Sequence, residues 1–339
     1  MAWLMVVAMW LICVTMGALS LLCAIFFVCS RVFWLLTAGR YRLQHDWTAR
    51  CVVLTGATSG LGLEVCRSLL KAGVNRLFLL CRDVGKAERL IHLSGEFTVI
   101  YCDLSSLESV RSAAEQIRTR CTEIHALINN AGIAGLPRRT LTDDELEMTM
   151  ASNYFGHFLL THLLLDKMAP DGRIVSVTSS MHRCSPGFSP LNLNFEYDGD
   201  ASTAYYSVRN AYGYSKLAQI CFTRHLARIL RNRRSGIRVN CTHPGVVVTP
   251  MHRQFIGASQ FFLPLITLIG SCLWKTVREG AATILFLCDA DQVLNVSGEY
   301  FADCAVKAPS VLQAWDSQLA RDVYLRSCAL LNVEPLSSD

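Results

Sequence analysis

The sequence predicts an α/β protein, a doubly wound parallel sheet preceded by a transmembrane helix. Three observations carry that prediction. Residues 1–30 contain no Asp, Glu, Lys, Arg or His, and at ~1.5 Å per residue a helix of that length exceeds the ~30 Å hydrocarbon layer. Beyond them, short apolar runs alternate with longer helical patterns, which implies a parallel sheet covered on both faces. The residues with special backbone or chemical properties gather at the carboxyl ends of those runs, where such sheets bind ligands.

The apolar start, "MAWLMVVAMWLICV", has neither the basic opening nor the short apolar run of a cleaved signal peptide, so a retained anchor is expected. Arg31, Arg40 and Arg42 lie just past it with no cation before it; the positive-inside bias then puts the following domain in the cytosol. Fifteen cysteines show no CxxC or Cys/His spacing for zinc, and no metal is expected. Cys51, Cys81 and Cys102 sit inside apolar runs, where a free thiol packs as a small hydrophobe, in keeping with a reducing compartment. The net charge is +5, concentrated in "RILRNRRSGIR" (228–238). That cluster lacks the interleaved aromatics of a nucleic-acid module, so no nucleic-acid partner is expected. A solvated helix end or contact with anionic lipid explains it.

The elements follow in order. "RYRLQHDWTAR" is a polar connector. "CVVLTG" is the first strand, "LGLEVCRSLLKAG" a helix ending at Gly73, "RLFLLC" the second strand and "FTVIYCD" the third; apolar runs bounded by turn residues carry these assignments. Further strands are expected at 126–129, 173–179 and 237–245. Thr55–Gly62 then follow the first strand, Cys81 and Arg82 the second, Asp103 the third, Asn129–Gly132 the fourth, Ser179 the fifth, and Pro244 and Gly245 the sixth.

In "TGATSGLG" the glycines Gly56, Gly60 and Gly62 lie between strand and helix, where missing side chains let backbone N–H groups approach a pyrophosphate at a helix N-terminus. Such a turn suits the pyrophosphate of a dinucleotide in a Rossmann-type sheet, with glycines spaced by four and two rather than as GxGxxG; a strand–helix turn with incidental glycines is the alternative. Where an acidic residue would hold the ribose hydroxyls stands Cys81, followed by Arg82. An arginine there suits the 2′-phosphate, so NADP(H) is favoured, with NAD(H) the alternative.

"AYGYSK" offers two tyrosines before one lysine. Residues four apart share a helix face and residues two apart do not, which pairs Lys216 with Tyr212 rather than Tyr214. An ammonium beside a phenol favours the phenolate, and such a phenol could exchange a proton with a substrate oxygen as hydride moves. A hydroxyl at the end of strand five, Ser179 or its neighbour Ser180, could hold the same oxygen.

Taken together, "TGATSGLG", "CDL", "NNAG", "SNYFGHFLLT", "VTSS", "AYGYSK" and "HPG", in this order, resemble the short-chain dehydrogenase/reductase family. They are most similar to its membrane-associated retinol dehydrogenase-like branch, which includes polyprenol- and dolichol-pathway enzymes. The resemblance covers about residues 48–330. It implies a catalytic tetrad of Asn153, Ser179, Tyr212 and Lys216, with Asn153 supporting a water that relays protons to the lysine. It implies that Asp103 contacts adenine, that Asn129 stiffens the sheet and that Lys216 also binds ribose. The cofactor set becomes Gly56, Thr58, Ser59, Gly60, Leu61, Gly62, Arg82, Asp103, Leu104, Asn130, Ala131, Gly132, Tyr212, Lys216, Pro244, Gly245, Val247 and Thr249. Two departures stand out, a short Arg82–Phe97 segment and "VTSS" where "VSS" is usual.

The chain is thus expected to comprise an anchor (1–38), a connector (39–47), the dehydrogenase domain (48–330) and a tail (331–339). Within the domain, 247–276 holds the apolar run "FIGASQFFLPLITLIGSCLW". Pro264 and two glycines interrupt it, and it is expected to form a lid that covers a lipophilic substrate and dips into the membrane lipid surface, with a helix pair packed on the core or used for dimerisation the alternative. The expected activity is NAD(P)-dependent interconversion of a lipophilic alcohol and its aldehyde or ketone, of the retinoid, polyprenoid or sterol class. The expected site is the cytosolic face of the endoplasmic reticulum, with lipid droplets a second location. Family analogy favours a homodimer. The alternative from another class is a noncatalytic nucleotide-binding membrane scaffold or redox sensor.

Overall fold

Apolar runs flanked by helical segments become strands buried on both faces, because only then does every side chain in the run leave water. The structure, a computed structural model, describes residues 2–90, 97–196, 206–247, 249, 270 and 273–337. Eight strands form one sheet: β1 (Cys51–Thr55), β2 (Arg76–Cys81), β3 (Phe97–Tyr101), β4 (Ile124–Asn129), β5 (Met168–Val177), β6 (Arg238–Thr242), β7 (Tyr300–Ala302) and β8 (Ala305–Lys307). Their order is β3-β2-β1-β4-β5-β6-β7-β8. All pairings are parallel except β7 with β8. The strand order reverses between β1 and β4, which opens the crevice where a ligand binds.

The helices are α1 (Ala2–Thr37), α2 (Gly60–Lys71), α3 (Val84–Leu90), α4 (Leu107–Arg120), α5, α6 (Val208–Asn232), α7 (Val277–Asp289) and α8 (Ser317–Leu331). α5 starts at Met148–Met150, passes through a π-helical turn at Ala151–Phe155 and continues as Gly156–Leu164. The period-two geometry of a strand divides the core. Val53 joins α4, α5, α6 and α8 on one face, while Val52 and Leu54 join α2 and α7 on the other. Cys51, Cys81 and Cys102 are buried within these layers as expected.

Several boundaries differ from the sequence expectation. β5 begins at Met168 rather than 173, because a register shift against Ile124 and Ala126 of β4 absorbs the Pro170–Gly172 stretch that reads as a turn. β7 and β8 are too short to leave a periodic signal. Between them Asp303 and Cys304 adopt φ of 55° and 57°, the left-handed pair of a two-residue hairpin turn. The short segment after Arg82 does form a helix, α3, whose first turn is closed by Asp83 accepting from the Lys86 amide at 2.8 Å. Of the expected lid, only Val247, Thr249, Gly270 and residues 273–276 are described; the rest lies outside the described residues.

The arginines of 228–238 are partly engaged rather than simply solvated: Arg231 donates to Ser297 O, Arg233 to Ser337 and Arg238 to Leu294 O.

α1 is long and apolar enough to cross a membrane, with a mean hydropathy of 2.2 over Thr15–Thr37. Its end is fixed to the sheet domain. Trp34 Nε1 donates to Leu273 O at 2.7 Å, Arg31 forms an ion pair with Glu279 at 3.1 Å, and Gly39 N donates to Asp303. The connector is fixed as well. The Asp289 side chain, with no exposed surface, accepts from Tyr41 Oη (2.7 Å), the Gln44 amide (2.6 Å) and Trp47 Nε1 (2.8 Å), and pairs with His45 Nδ1 at 3.0 Å. Burial opposes its charge, but those donors outweigh it and hold the carboxyl below its ordinary pKa.

Asp289→Ala removes the acceptor while leaving buried donors behind, so urea unfolding is expected to show a loss of about 3–5 kcal/mol. The wild-type contribution is present above the ordinary carboxylate pKa and fades as pH falls through the lower folded-state value.

Candidate active site

The cofactor half of the site is built by glycines that cannot be replaced without collision. Gly56 has φ +72° and Gly60 +52°, conformations an L-residue rarely adopts. A Cβ on Gly62 would stand 2.2 Å from Gly56 O, and one on Gly56 2.8 Å from Ala131 Cα. The turn is held from the β4 side, where Asn130 Nδ2 donates to Thr55 O at 2.9 Å and to Gly56 O at 3.3 Å. Thr58 and Ser59 complete the turn, half-buried. Ser59, the N-cap of α2, makes no side-chain cap bond, which leaves the first N–H groups of this helix available to an anion.

Other expected cofactor residues come together around this turn. Leu61, Pro244 and Val247 converge on Gly280, where an added Cβ would meet Val247 Cγ2 at 2.6 Å and Leu61 Cδ2 at 2.8 Å. Gly245, at φ +88°, lies against the stem of Lys275. Arg82 is exposed at the end of β2. Asp103 uses Oδ1 to accept from the amide and hydroxyl of Ser105, and Leu104 O packs against Gly156. Gly132 and Thr249 lie half-buried at the loops after β4 and β6. Two bare glycines in the left-handed region, an open helix N-terminus and a cation at the end of β2 fit a dinucleotide.

At the other end of the crevice, the two tyrosines of "AYGYSK" separate as helical spacing requires. Lys216 Nζ lies 5.4 Å from the centre of the Tyr212 ring. Tyr214 instead donates to Pro186 O at 2.5 Å and packs on Phe188 and Phe195. The two serines also differ in their surroundings. Ser179 hydrogen-bonds the Tyr212 phenol and accepts from the Met181 amide, while the Ser180 amide donates to His243 Nδ1.

Burial sets the electrostatics. It pushes the Tyr212 phenol up to about 12, with the Ser179 hydroxyl pulling the other way, and pushes Lys216 down to about 7. Desolvation is the largest influence on both groups, and it acts against the charge effect expected from the lysine beside the phenol. A phenol that keeps its proton is suited to donating it to a carbonyl oxygen.

Asn153 lies in the π-helical turn, fully buried. Its Oδ1 accepts from the Ile133 amide at 2.8 Å, and Nδ2 donates to Ile133 O and Ser215 Oγ, both at 3.0 Å. Its backbone carbonyl takes His157 Nδ1 at 2.9 Å and Gln219 Nε2 at 2.7 Å. Asn129 ties β4 to α5 by donating to Thr161 Oγ1 at 3.0 Å. Sequence reading passed over His157 and Gln219. His157 sits in the quoted "SNYFGHFLLT", yet a histidine on an apolar helix gives no sign of its partners.

The fold and site define a nicotinamide-dependent oxidoreductase. The model described as short chain dehydrogenase matches residues 50–189, and that described as Enoyl-(Acyl carrier protein) reductase matches 193–303. The chain is 36% identical to retinol dehydrogenase 14 of Homo sapiens, over 88% of this chain and 90% of that one. It is 32% identical to polyprenol dehydrogenase of Homo sapiens, over 84% and 86% respectively. Among solved structures, an uncharacterized protein from Mycobacterium paratuberculosis superposes with a TM-score of 0.67 at 29% identity, covering 88% of this chain and 98% of that one. The chain belongs to the short-chain dehydrogenase family and is an NAD(P)-dependent dehydrogenase acting on CH–OH groups.

Gly62→Ala drives a methyl group into the Gly56 carbonyl, and overpacking of this kind costs about 1–3 kcal/mol. Dinucleotide titration by fluorescence is expected to show affinity falling by at least about tenfold, with a matching drop in unfolding midpoint.

Proposed function

We propose that the protein is a membrane-anchored oxidoreductase that prefers NADP(H) and interconverts a lipophilic alcohol with its aldehyde or ketone. The observation that carries the chemistry is the buried Tyr212 phenol, bonded to Ser179 and faced by Lys216. In reduction Tyr212 gives its proton to the substrate oxygen, and in oxidation it accepts that proton. Ser179 holds the same oxygen at the phenol. Lys216 supplies positive charge beside Tyr212, and Asn153 fixes the wall behind the lysine. The bound nicotinamide supplies or accepts the hydride.

The lipophilic substrate class is supported by two relatives whose names specify retinol and polyprenol. It is also supported by the apolar α1, whose end bonds to Leu273 and Glu279 beside the expected lid. That arrangement supports a substrate side that faces the membrane, and the charge distribution after α1 favours the cytosolic side, in this proposal that of the endoplasmic reticulum. The NADP(H) preference rests on Arg82, exposed where β2 ends, with the thiol of Cys81 in place of a carboxylate that would repel the 2′-phosphate.

Membranes carrying the full chain, given nicotinamide-deuterated NADPH and a lipid extract, are expected to yield a deuterated alcohol that Tyr212→Phe membranes do not. Loss of the phenol proton is expected to lower turnover by about 10²–10⁴-fold. Label that persists undiminished in Tyr212→Phe overturns the assignment. Arg82→Ala is expected to raise KM for NADPH by about tenfold, the scale of one lost charge-assisted contact, while KM for NADH stays within about twofold. Equal effects on the two cofactors would refute the preference.

A further inference from the structure

Lys216 has a partner that no motif announces. Gln219, one turn beyond it on α6 and buried, accepts from Lys216 Nζ through Oε1 at 3.1 Å. Its Nε2 donates to the Asn153 carbonyl at 2.7 Å. The same carbonyl also meets His157 Nδ1 at 2.9 Å. A carbonyl accepts and never donates, so His157 carries its proton on Nδ1, and Nε2 accepts from Thr55 Oγ1 at 2.9 Å. The Asn153 carbonyl thereby accepts from both side chains. The remaining bond of the ammonium to protein is to Val177 O at 2.9 Å.

We propose that Gln219 is a positioning residue of the active site, its side-chain amide joining the Lys216 ammonium to the Asn153 carbonyl and holding the lysine against Tyr212. This rests on Tyr212 and Lys216 performing the acid–base step. An amide suits the place because it offers an acceptor to the cation and a donor to the carbonyl at once. A carboxylate would oppose the carbonyl and cancel the charge of the lysine. Support from Asn153 thus reaches the lysine through the amide, in addition to the water that the family resemblance implies.

The titratable groups around this lysine leave the amide as the adjustable contact. On its own helix it faces Tyr212, and on α5 it faces His157. His182 and His243 flank Ser179, accepting or donating at the Ser179 carbonyl and Ser180 amide. Burial lowers all three histidines, His157 and His243 to about 4, so none carries charge at neutral pH.

The test uses full-chain protein in detergent micelles, labelled with ¹³C at the lysine ε-carbon, the Lys216 resonance being identified by its loss in Lys216→Met. Gln219→Met keeps the volume and removes both hydrogen bonds. Its Lys216 midpoint is expected to fall by roughly one pH unit, as the loss of an acceptor to a charged group requires. Gln219→Asn, with the amide on a shorter stem, is expected to fall between the two and carries the comparison if the methionine variant does not fold. With retinol and NADP⁺ as probes, turnover at about pH 7 is expected to fall severalfold as the charged fraction of Lys216 falls, while KM for retinol stays within about twofold.

An unmoved Lys216 midpoint overturns the proposal whatever the kinetics. A midpoint that moves while turnover of retinol stays at the wild-type value overturns the link from Gln219 to Tyr212. Tyr212→Phe in the same assay reports separately on the underlying reading, which fails if that variant oxidises retinol like wild type.

Discussion

Thr55 closes the end of β1 with one hydroxyl that serves three elements. Its oxygen accepts from the backbone amides of Asn130 (2.9 Å) and Ala131 (3.0 Å) after β4, and its proton goes to His157 Nε2 on α5. The hydroxyl thereby fills both of its lone pairs and its single donor in a site where an unmet polar atom is costly. The glycine turn, the loop after β4 and the π-helical turn of α5 meet at this point. The bonds continue through His157 and the Asn153 carbonyl to Gln219 and Lys216. The glycine turn and the Tyr212–Lys216 pair thus lie at two ends of one bonded assembly.

That assembly explains why the catalytic groups tolerate their burial. Burial works against the charged forms of both Tyr212 and Lys216, and neutral dipoles from Val177 O and Gln219 hold the lysine while Ser179 bonds the phenol. Fixed dipoles need not reorganise when charge appears, which is the property a site of proton and hydride exchange requires. The π-helical turn holds the Asn153 carbonyl that meets two side-chain donors, His157 Nδ1 and Gln219 Nε2.

Much of this was legible in the chain. β1 and β2 coincide with continuous apolar runs, because a strand buried on both faces permits no polar interruption. The Tyr212–Lys216 pair followed from helical spacing alone. Ser179 against Ser180 did not, since adjacent residues at a strand end differ by which way the chain turns next. The weight of burial on Tyr212 and Lys216 was not legible, because sequence displays the neighbouring charge but conceals the depth of burial. Gln219 and His157 were invisible for a related reason: their roles need β1, α5 and α6 at once, and no local pattern encodes that meeting. β7 and β8 escaped by brevity.

The bonds from Trp34, Arg31 and Gly39 to the sheet domain, together with the Asp289 staple on the connector, bear on how the domain samples space. A flexible segment of the length of residues 39–47 would let its cargo wander over roughly 15–18 Å. Here that reach is cancelled, because the segment is bonded along its length to the cargo itself. The domain and the end of α1 move as one piece, so the direction of the helix axis fixes which face of the sheet domain looks along it. The local concentration of that face beside anything dissolved around the helix is then set by geometry, with no diffusive search by the tethered domain.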